Sequence, residues 1–192
     1  LRRMKSPEIA GFLKDADEYI VTETARAIND DLSIEGALPA LGDVLNNYHF
    51  TNEALIRRAI NANLRVGTDR AMQNLIDYSK HEGSPITMRA EAIATLSTWA
   101  KPSVLDRVDG RFRGVITRDI AAVKSRAEDM LIQLSSSKES LVRLSAVKAV
   151  GKLGIEKASP QLFTLLKNDA NPEVRAEALK SLASLNDKQI GD

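Results

Sequence analysis

The sequence predicts an all-α fold, a right-handed α-solenoid of about five helix pairs. The first observation is a repeated pattern: an apolar anchor, a small residue four positions later and, in most copies, an aliphatic residue eight positions later. The anchors are Ile20, Leu55, Met88, Val142 and Val174, at spacings of 35, 33, 54 and 32 residues. A period in the thirties is typical of stacked helical repeats. The second observation is composition, because 43% of the 192 residues are hydrophobic but only 4% are aromatic, and no segment alternates like a strand.

The elements follow along the chain as pairs of an outer and an inner helix. We predict outer helices over residues 7–14, 34–46, 69–81, 118–136 and 158–168, and inner helices over residues 17–30, 52–66, 85–100, 139–153 and 172–185. Helix starts are indicated by residues that cap N-termini, namely Ser6, Asp17, Ser33, Thr51 or Asn52, Thr68, Ser84, Thr117 and Asn171. Gly67 and Gly154 stand where C-terminal caps belong. The small residues four positions after the last four anchors should be buried at helix–helix contacts: Ala59, Ala92, Ala146 and Ala178.

One repeat is longer than the others, and its excess falls between residues 101 and 119. Pro102 and the pair Asp109-Gly110 mark this insertion in the third repeat as a loop with a turn. Residues 101–126 contain seven basic and three acidic residues, a local charge of +4. Insertions in solenoids lie in loops that often bind partners.

Within the insertion, the candidate binding residues are Arg107, Arg111, Phe112 and Arg113. The arginines could present guanidinium groups to a carboxylate or phosphate, with the phenyl ring beside them. We expect Val104, Leu105 and Phe112 to pack on adjoining helices while Arg111 and Arg113 reach solvent. The alternative is structural: the loop fills a widened gap and its arginines pair with Asp106 and Asp109.

The residue types of an active site or metal site are missing or scattered. The chain has no cysteine, and its two histidines, His49 and His81, lie in separate repeats. The carboxylates of Asp15, Asp17 and Glu18 cluster at a helix start, where they favour the helix dipole. No glycine-rich phosphate loop and no apolar run long enough to span a membrane occur in the sequence. The sequence therefore predicts no enzyme activity, catalytic residue, cofactor, metal site or membrane span.

The concave side of the array is lined by the residues three, six and ten positions after each anchor. These fifteen positions carry a net charge of +2 with interspersed signs: Glu23, Arg58, Glu91, Ser145 and Glu177, then Arg26, Asn61, Ala94, Lys148 and Lys180, then Asp30, Arg65, Thr98, Lys152 and Ser184. A groove that follows nucleic acid needs aligned cations and aromatic side chains. With a net charge of +1 for the whole chain, the sequence disfavours nucleic acid and favours a protein partner.

The repeats resemble HEAT repeats of the phycobilisome-lyase-like kind over nearly the whole chain. The resemblance is clearest at residues 162–169 followed by Asn171-Pro172-Glu173-Val174-Arg175, and it recurs at residues 138–143 and 87–92. It implies a scaffold that contacts a protein partner or neighbouring domains of its own chain. Because HEAT arrays have many functions, the resemblance leaves any small-molecule ligand unknown.

A narrower resemblance concerns residues 18–30, 99–103 and 107–114. They are similar to the HEAT segment of large bacterial proteins that join a dehydrogenase-like β-propeller, helical repeats and a c-type haem domain. That parentage implies a spacer between modules and a periplasmic location, although the haem attachment motif is absent from this chain. Because residues 1–192 start and stop within a repeat, we expect this single solenoid domain to be part of a longer protein.

Overall fold

The computed structural model describes residues 1–30 and 34–185. The described residues form the α-helices α1 (Glu18–Asn29), α2 (Leu38–Asp43), α3 (Glu53–Val66), α4 (Asp69–Lys80), α5 (Ile86–Leu96), α6 (Ile120–Leu134), α7 (Ser140–Leu153), α8 (Ser159–Asn168) and α9 (Pro172–Ser184). Shorter 3₁₀ segments are Arg2–Met4, Pro7–Lys14, Glu35–Ala37, Val44–Asn46 and Glu156–Ala158. Strand pairing among these residues is limited to one antiparallel bridge between Leu105 and Phe112.

The helices stack in two rows, as an α-solenoid requires. Each inner helix packs on the outer segment before it: α1 on Pro7–Lys14, α3 on α2, α5 on α4, α7 on α6 and α9 on α8. The inner helices also contact one another in sequence, α1 with α3, α3 with α5, α5 with α7 and α7 with α9. The prediction of an all-α solenoid with about five helix pairs is confirmed. We call the exposed side of α1, α3, α5, α7 and α9, on which the insertion lies, the inner face.

The core follows the predicted repeat pattern. The four alanines Ala59, Ala92, Ala146 and Ala178 are fully buried, which confirms the expected helix–helix contacts. A small side chain at this position lets the backbones of neighbouring helices approach closely. The prediction is wrong for the first anchor: Ile20 is 38% exposed, and Val21 is fully buried instead. Adjacent residues of a helix point about 100° apart, so Ile20 points away from the side on which Val21 is buried. It faces an open apolar cavity lined also by Ile9, Phe12 and Tyr19.

A buried asparagine explains one exception to the aliphatic pattern. Asn63 stands eight positions after the second anchor and donates hydrogen bonds to the carbonyl oxygens of Gly42 and Ala59, both at 2.9 Å. A Cβ atom at Gly42 would lie 2.8 Å from the Asn63 side-chain oxygen. The short helix α2 therefore approaches α3 closely because residue 42 has no side chain.

Several predicted helix boundaries are confirmed and others are shifted. The side chains of Ser6, Asp17, Asn52, Thr68 and Asn171 accept backbone hydrogen bonds as N-caps, and Gly67 and Gly154 end α3 and α7 with φ of 68° and 66°. The cap of α6 is Asp119 and not Thr117, and Pro85 and not Ser84 precedes α5. Ser33 lies outside the described residues. Helix α5 ends at Leu96 and not near residue 100, because Ser97 and Thr98 donate side-chain hydrogen bonds to carbonyl groups of the last turn.

Candidate functional site

The insertion folds as a short β-hairpin. The N–H of Arg113 donates to the carbonyl oxygen of Val104 at 2.8 Å, and the N–H of Asp106 donates to that of Arg111 at 2.7 Å. Gly110 lies at the tip with φ of 72°, a left-handed conformation that favours glycine. Between these two hydrogen bonds, Leu105 and Phe112 are direct cross-strand neighbours. We call residues 104–113 the hairpin.

One side of the hairpin is polar and buried against the inner face. Arg113 Nε lies 2.8 Å from Asp106 Oδ2, and Arg113 Nη2 lies 2.9 Å from Asp109 Oδ2. The Arg113 side chain is 6% exposed, and the Asp106 side chain is fully buried. Asn61 Nδ2 on α3 donates to Asp106 Oδ2 at 2.9 Å, and Arg113 Nη2 donates to the carbonyl oxygen of Asn29 at 3.0 Å. These contacts hold the hairpin on α1 and α3.

The surroundings of Asp106 stabilise its ionised form. Burial alone would raise the pKa of this carboxyl group. Hydrogen bonds from the N–H of Val108, the side chain of Asn61 and the N–H of Asp109 oppose that effect, as does the charge of Arg113. The pKa of Asp106 consequently lies below its ordinary value. The buried group is therefore a carboxylate, which matches the paired guanidinium.

Two expectations about the hairpin side chains are wrong. Arg113 does not reach solvent, and Phe112 does not pack on a helix, since it is 65% exposed. Leu105 and Val104 are also exposed, Leu105 by 50%. For Leu105 and Phe112 the reason is the alternation of a β-strand, which puts them on the side opposite to their buried neighbours Asp106 and Arg113. The polar side finds Asn29 and Asn61 as partners, so the apolar pair faces outward.

The other two arginine candidates have different surroundings. Arg111 is half exposed, and its Nε lies 3.9 Å from Asp109 Oδ2. Arg107 donates two hydrogen bonds to Glu91 Oε1 on α5, from Nη2 at 2.7 Å and from Nε at 3.0 Å. The hairpin thus contains all four candidate residues from the sequence: Arg107, Arg111, Phe112 and Arg113. Arg113, however, belongs to the contacts that attach the hairpin to α1 and α3. Arg107 fixes the hairpin to a third inner helix, α5.

A second attachment closes the far end of the insertion. Arg118 donates to the carbonyl oxygens of Leu64 at 2.6 Å and Trp99 at 3.0 Å, and its guanidinium carbon lies 4.7 Å from the centroid of the Trp99 ring. Trp99 itself is buried. Burial lowers the pKa of Arg118 from its ordinary value. Arg118 joins the end of the insertion to the C-terminal end of α3.

Beside the hairpin lies an open cavity of about 350 Å³ in the inner face. It is bounded by α5, α7 and α9, and Arg107 of the hairpin contributes to its wall. The lining residues are Ala94, Ser97, Thr98, Arg107, Leu144, Ser145, Lys148, Lys152 and Glu177. Six of the positions that the repeat pattern predicts for the concave side meet here, from the third, fourth and fifth repeats. We call this cavity the lysine pocket, after Lys148 and Lys152.

The ring of His81 is held by two neighbouring side chains, Tyr48 and Ser84. The ring of His81 stacks on Tyr48 with centroids 3.9 Å apart, and its Nδ1 lies 3.0 Å from Ser84 Oγ. Within residues 1–30 and 34–185, no group of three His, Cys, Asp or Glu side chains could hold a metal ion. None of the helices described is both long and apolar enough to cross a membrane.

Comparisons with known proteins identify the repeat type. Residues 103–183 match the family model described as HEAT repeats. The fold of 94% of this chain matches 81% of a designed armadillo repeat protein in complex with the peptide (KR)4, at 20% identity and a TM-score of 0.59. It also matches a computationally designed armadillo repeat protein for modular peptide recognition, at 18% identity and a TM-score of 0.53, over 94% of this chain and 82% of that chain. No curated protein sequence matches the chain.

These similarities define the class of fold. The predicted HEAT repeats are confirmed for residues 103–183, and the fold of the chain is an α-solenoid like that of the designed armadillo repeat proteins. The matched segment begins in the insertion and runs through α6 to α9. At 20% identity and below, the likeness to the designed proteins concerns the fold alone.

Proposed function

We propose that this chain is a non-catalytic scaffold that binds a protein partner through the exposed side of the hairpin and the inner face beside it. The observation that carries the proposal is the orientation of the hairpin. Its polar residues Asp106 and Arg113 are buried, whereas its apolar residues Leu105 and Phe112 face solvent. Burying a Leu or Phe side chain stabilises a fold by about 1.5–3 kcal/mol. A loop that served only to stabilise the fold would be more stable in the opposite orientation, with Leu105 and Phe112 buried.

The hairpin residues have distinct roles in this proposal. Leu105 and Phe112 form the apolar centre of the contact surface, and Arg111 lies at its rim, where a half-exposed charge favours orientation and rate of association. Arg113 and Asp106 hold the surface in place. Because both groups are fixed inside the free protein, the partner meets a surface that is already ordered, which lowers the entropic cost of binding.

The class of partner follows from the fold and the charges. Designed armadillo repeat proteins with this fold include one in complex with a peptide, which supports a protein segment as the partner. Solenoids offer long surfaces that suit extended segments. The solved structures that share the fold include designed repeat scaffolds, which supports a non-catalytic role.

Two narrower hypotheses from the sequence stay predictions. One is the spacer in a larger dehydrogenase- or cytochrome-like protein, for which a C-x-x-C-H motif or a propeller in a longer parent chain would be the test. The other is an anion- or nucleic-acid-binding module centred on residues 101–119. A protein partner is favoured over that module because Arg113 already uses Nε and Nη2 in contacts with Asp106, Asp109 and Asn29.

Peptide selection tests the proposed function directly. The full chain is used to select binders from a random peptide library, and their affinities are compared for the wild type and for Leu105→Ser with Phe112→Ser. The control, Phe12→Ser with Ile120→Ser, removes two apolar side chains that are also exposed but lie on outer segments, Pro7–Lys14 and the start of α6. We expect a loss of about tenfold or more for the hairpin variant only, as for the centre of an interface. Equal losses in the two variants would refute the hairpin as the contact surface.

A further inference from the structure

Two lysines of α7 line the lysine pocket without a neutralising partner. Lys148 and Lys152 are one helical turn apart, both exposed, and neither makes a hydrogen bond or ion pair with any residue in the described part of the chain. Like charges at this spacing repel each other on a helix. The other cations near the pocket are compensated: Arg107 pairs with Glu91 at 2.7 Å, and Lys180 lies 3.8 Å from Glu177. The uncompensated charge is concentrated on Lys148 and Lys152.

The size and lining of the pocket fit a small acidic group. Its volume of about 350 Å³ lies at the lower end of the range for ligand sites, about 300–1,000 Å³. Three cations, Arg107, Lys148 and Lys152, and one carboxylate, Glu177, give the lining a net charge of +2. Ser145 makes no hydrogen bond among the described residues and adds a hydroxyl donor one turn before Lys148.

We propose that the lysine pocket receives aspartate or glutamate side chains of the protein segment that binds the inner face. This inference rests on the proposed function and names the chemistry of its partner. The carboxylate is bound by the ammonium groups of Lys148 and Lys152, with Arg107 on the hairpin side. Arg107 is only two residues from Leu105, so one extended segment covers the apolar pair and reaches the pocket.

The charges distinguish an acidic segment from other occupants. A nucleic-acid backbone would need aligned cations along several repeats, but the two lysines of α7 are flanked by carboxylates, Glu91 on α5 and Glu177 on α9. A basic segment such as the peptide (KR)4 bound by the designed armadillo protein would meet the net positive lining. An acidic segment needs only one carboxylate beside Lys148 and Lys152, and it requires no cations on the neighbouring helices.

The test uses labelled peptides and the full chain. Fluorescence anisotropy compares the peptides (Glu-Ala)4, (Gln-Ala)4 and (Lys-Ala)4, each flanked by the same apolar residues taken from a library-selected binder. The pocket variant is Lys148→Glu with Lys152→Glu. Its control, Lys14→Glu with Lys167→Glu, changes the net charge equally at two other exposed lysines that make no contact with a described acidic residue.

We expect the acidic peptide to bind best and to lose about tenfold or more in affinity in the pocket variant, but about twofold or less in the control. Raising the salt concentration should weaken the wild-type complex more than the complex of the pocket variant. Equal losses in both variants, or a preference for the neutral or basic peptide, would overturn the inference. Binding of inorganic phosphate that requires the two lysines, without binding of the acidic peptide, would also overturn it.

The outcome also separates this inference from the proposed function. One outcome is that the selected peptides depend on Leu105 and Phe112 but contain no acidic residues and tolerate the lysine changes. That outcome would support the proposed scaffold function and refute the proposal that the partner is acidic. Selected peptides that ignore both the hairpin variant and the pocket variant would refute the two proposals together.

Discussion

Asp106 and Arg113 form an ion pair across the hairpin, with Asp106 Oδ2 2.8 Å from Arg113 Nε and both side chains almost completely excluded from solvent. The pair also contacts α1 and α3 through the carbonyl oxygen of Asn29 and the side chain of Asn61. It converts an irregular insertion into a fixed part of the inner face. The exposed positions of Leu105 and Phe112 depend on it.

The first prediction is that the two arginines beside Phe112 differ in their effect on the hairpin. Arg113→Ala leaves the buried carboxylate of Asp106 without its charge partner, which costs about 3–5 kcal/mol when a buried pair is broken. Arg111→Ala removes a half-exposed charge and should change the free energy of unfolding by about 0.5 kcal/mol or less. Hydrogen exchange of the hairpin amides, together with urea unfolding, measures both effects. Similar exchange rates in the two variants would contradict the structural role of Arg113.

The second prediction concerns acid. The folded-state pKa of Asp106 lies below its unfolded value, so between the two pKa values the unfolded chain binds more protons and stability rises with pH. The stabilisation is complete above about pH 4, near the unfolded pKa of an aspartate, and is lost as the pH falls through the folded pKa. Urea unfolding of the wild type and Asp106→Asn should therefore give free energies that converge as the pH is lowered. A difference that is independent of pH would show that the charge of Asp106 is unimportant.

The third prediction tests the repeat register. Ala146 is fully buried on α7, between α5 and α9. Ala146→Leu should overpack this contact and cost about 1–3 kcal/mol. The control is Ala176→Leu, on the exposed side of α9, which should alter the unfolding midpoint little. Equal midpoints for the two variants would mean that the small residue at this position is not required by helix packing.

The fourth prediction concerns the far end of the insertion. Arg118→Ala removes the hydrogen bonds to the carbonyl oxygens of Leu64 and Trp99 and the contact with the Trp99 ring. Each charged hydrogen bond contributes about 1.5–3 kcal/mol, so we expect a loss of about 2–4 kcal/mol and a change in the fluorescence of Trp99. Arg126→Ala, which breaks an exposed pair with Asp69, serves as the control and should cost about 1 kcal/mol or less. A smaller loss for Arg118→Ala than for the control would contradict the anchoring role.

The sequence predicted the solenoid well because its signal is local. The recurring anchor and the alanine four positions later reflect the spacing of a single helix, so Ala59, Ala92, Ala146 and Ala178 were placed correctly in the core. The error at Ile20 arises because Ile20 and Val21 are both apolar and adjacent. Their order in the pattern does not decide which of them faces α3.

The site was predicted only in part because its contacts are not local. The insertion and its four candidate residues could be found from the irregular spacing, but the side on which each residue lies depends on Asn29 and Asn61, which are distant in the sequence. Those two asparagines were the missing signal, since buried amides on inner helices call for polar partners. The repeat pattern placed six of the residues that line the lysine pocket on the concave side. The contribution of Arg107 could not be predicted in this way, because it depends on how the hairpin folds onto the helices.

The most direct measurement of the central claim is the mapping of a library-selected peptide onto the chain by NMR amide shifts. We expect the largest changes at Leu105, Phe112 and the neighbouring amides of the hairpin, further changes on α5 and α7 around the lysine pocket, and none on the outer helices α4 and α6. Changes confined to the outer helices, with the hairpin unaffected, would contradict this claim.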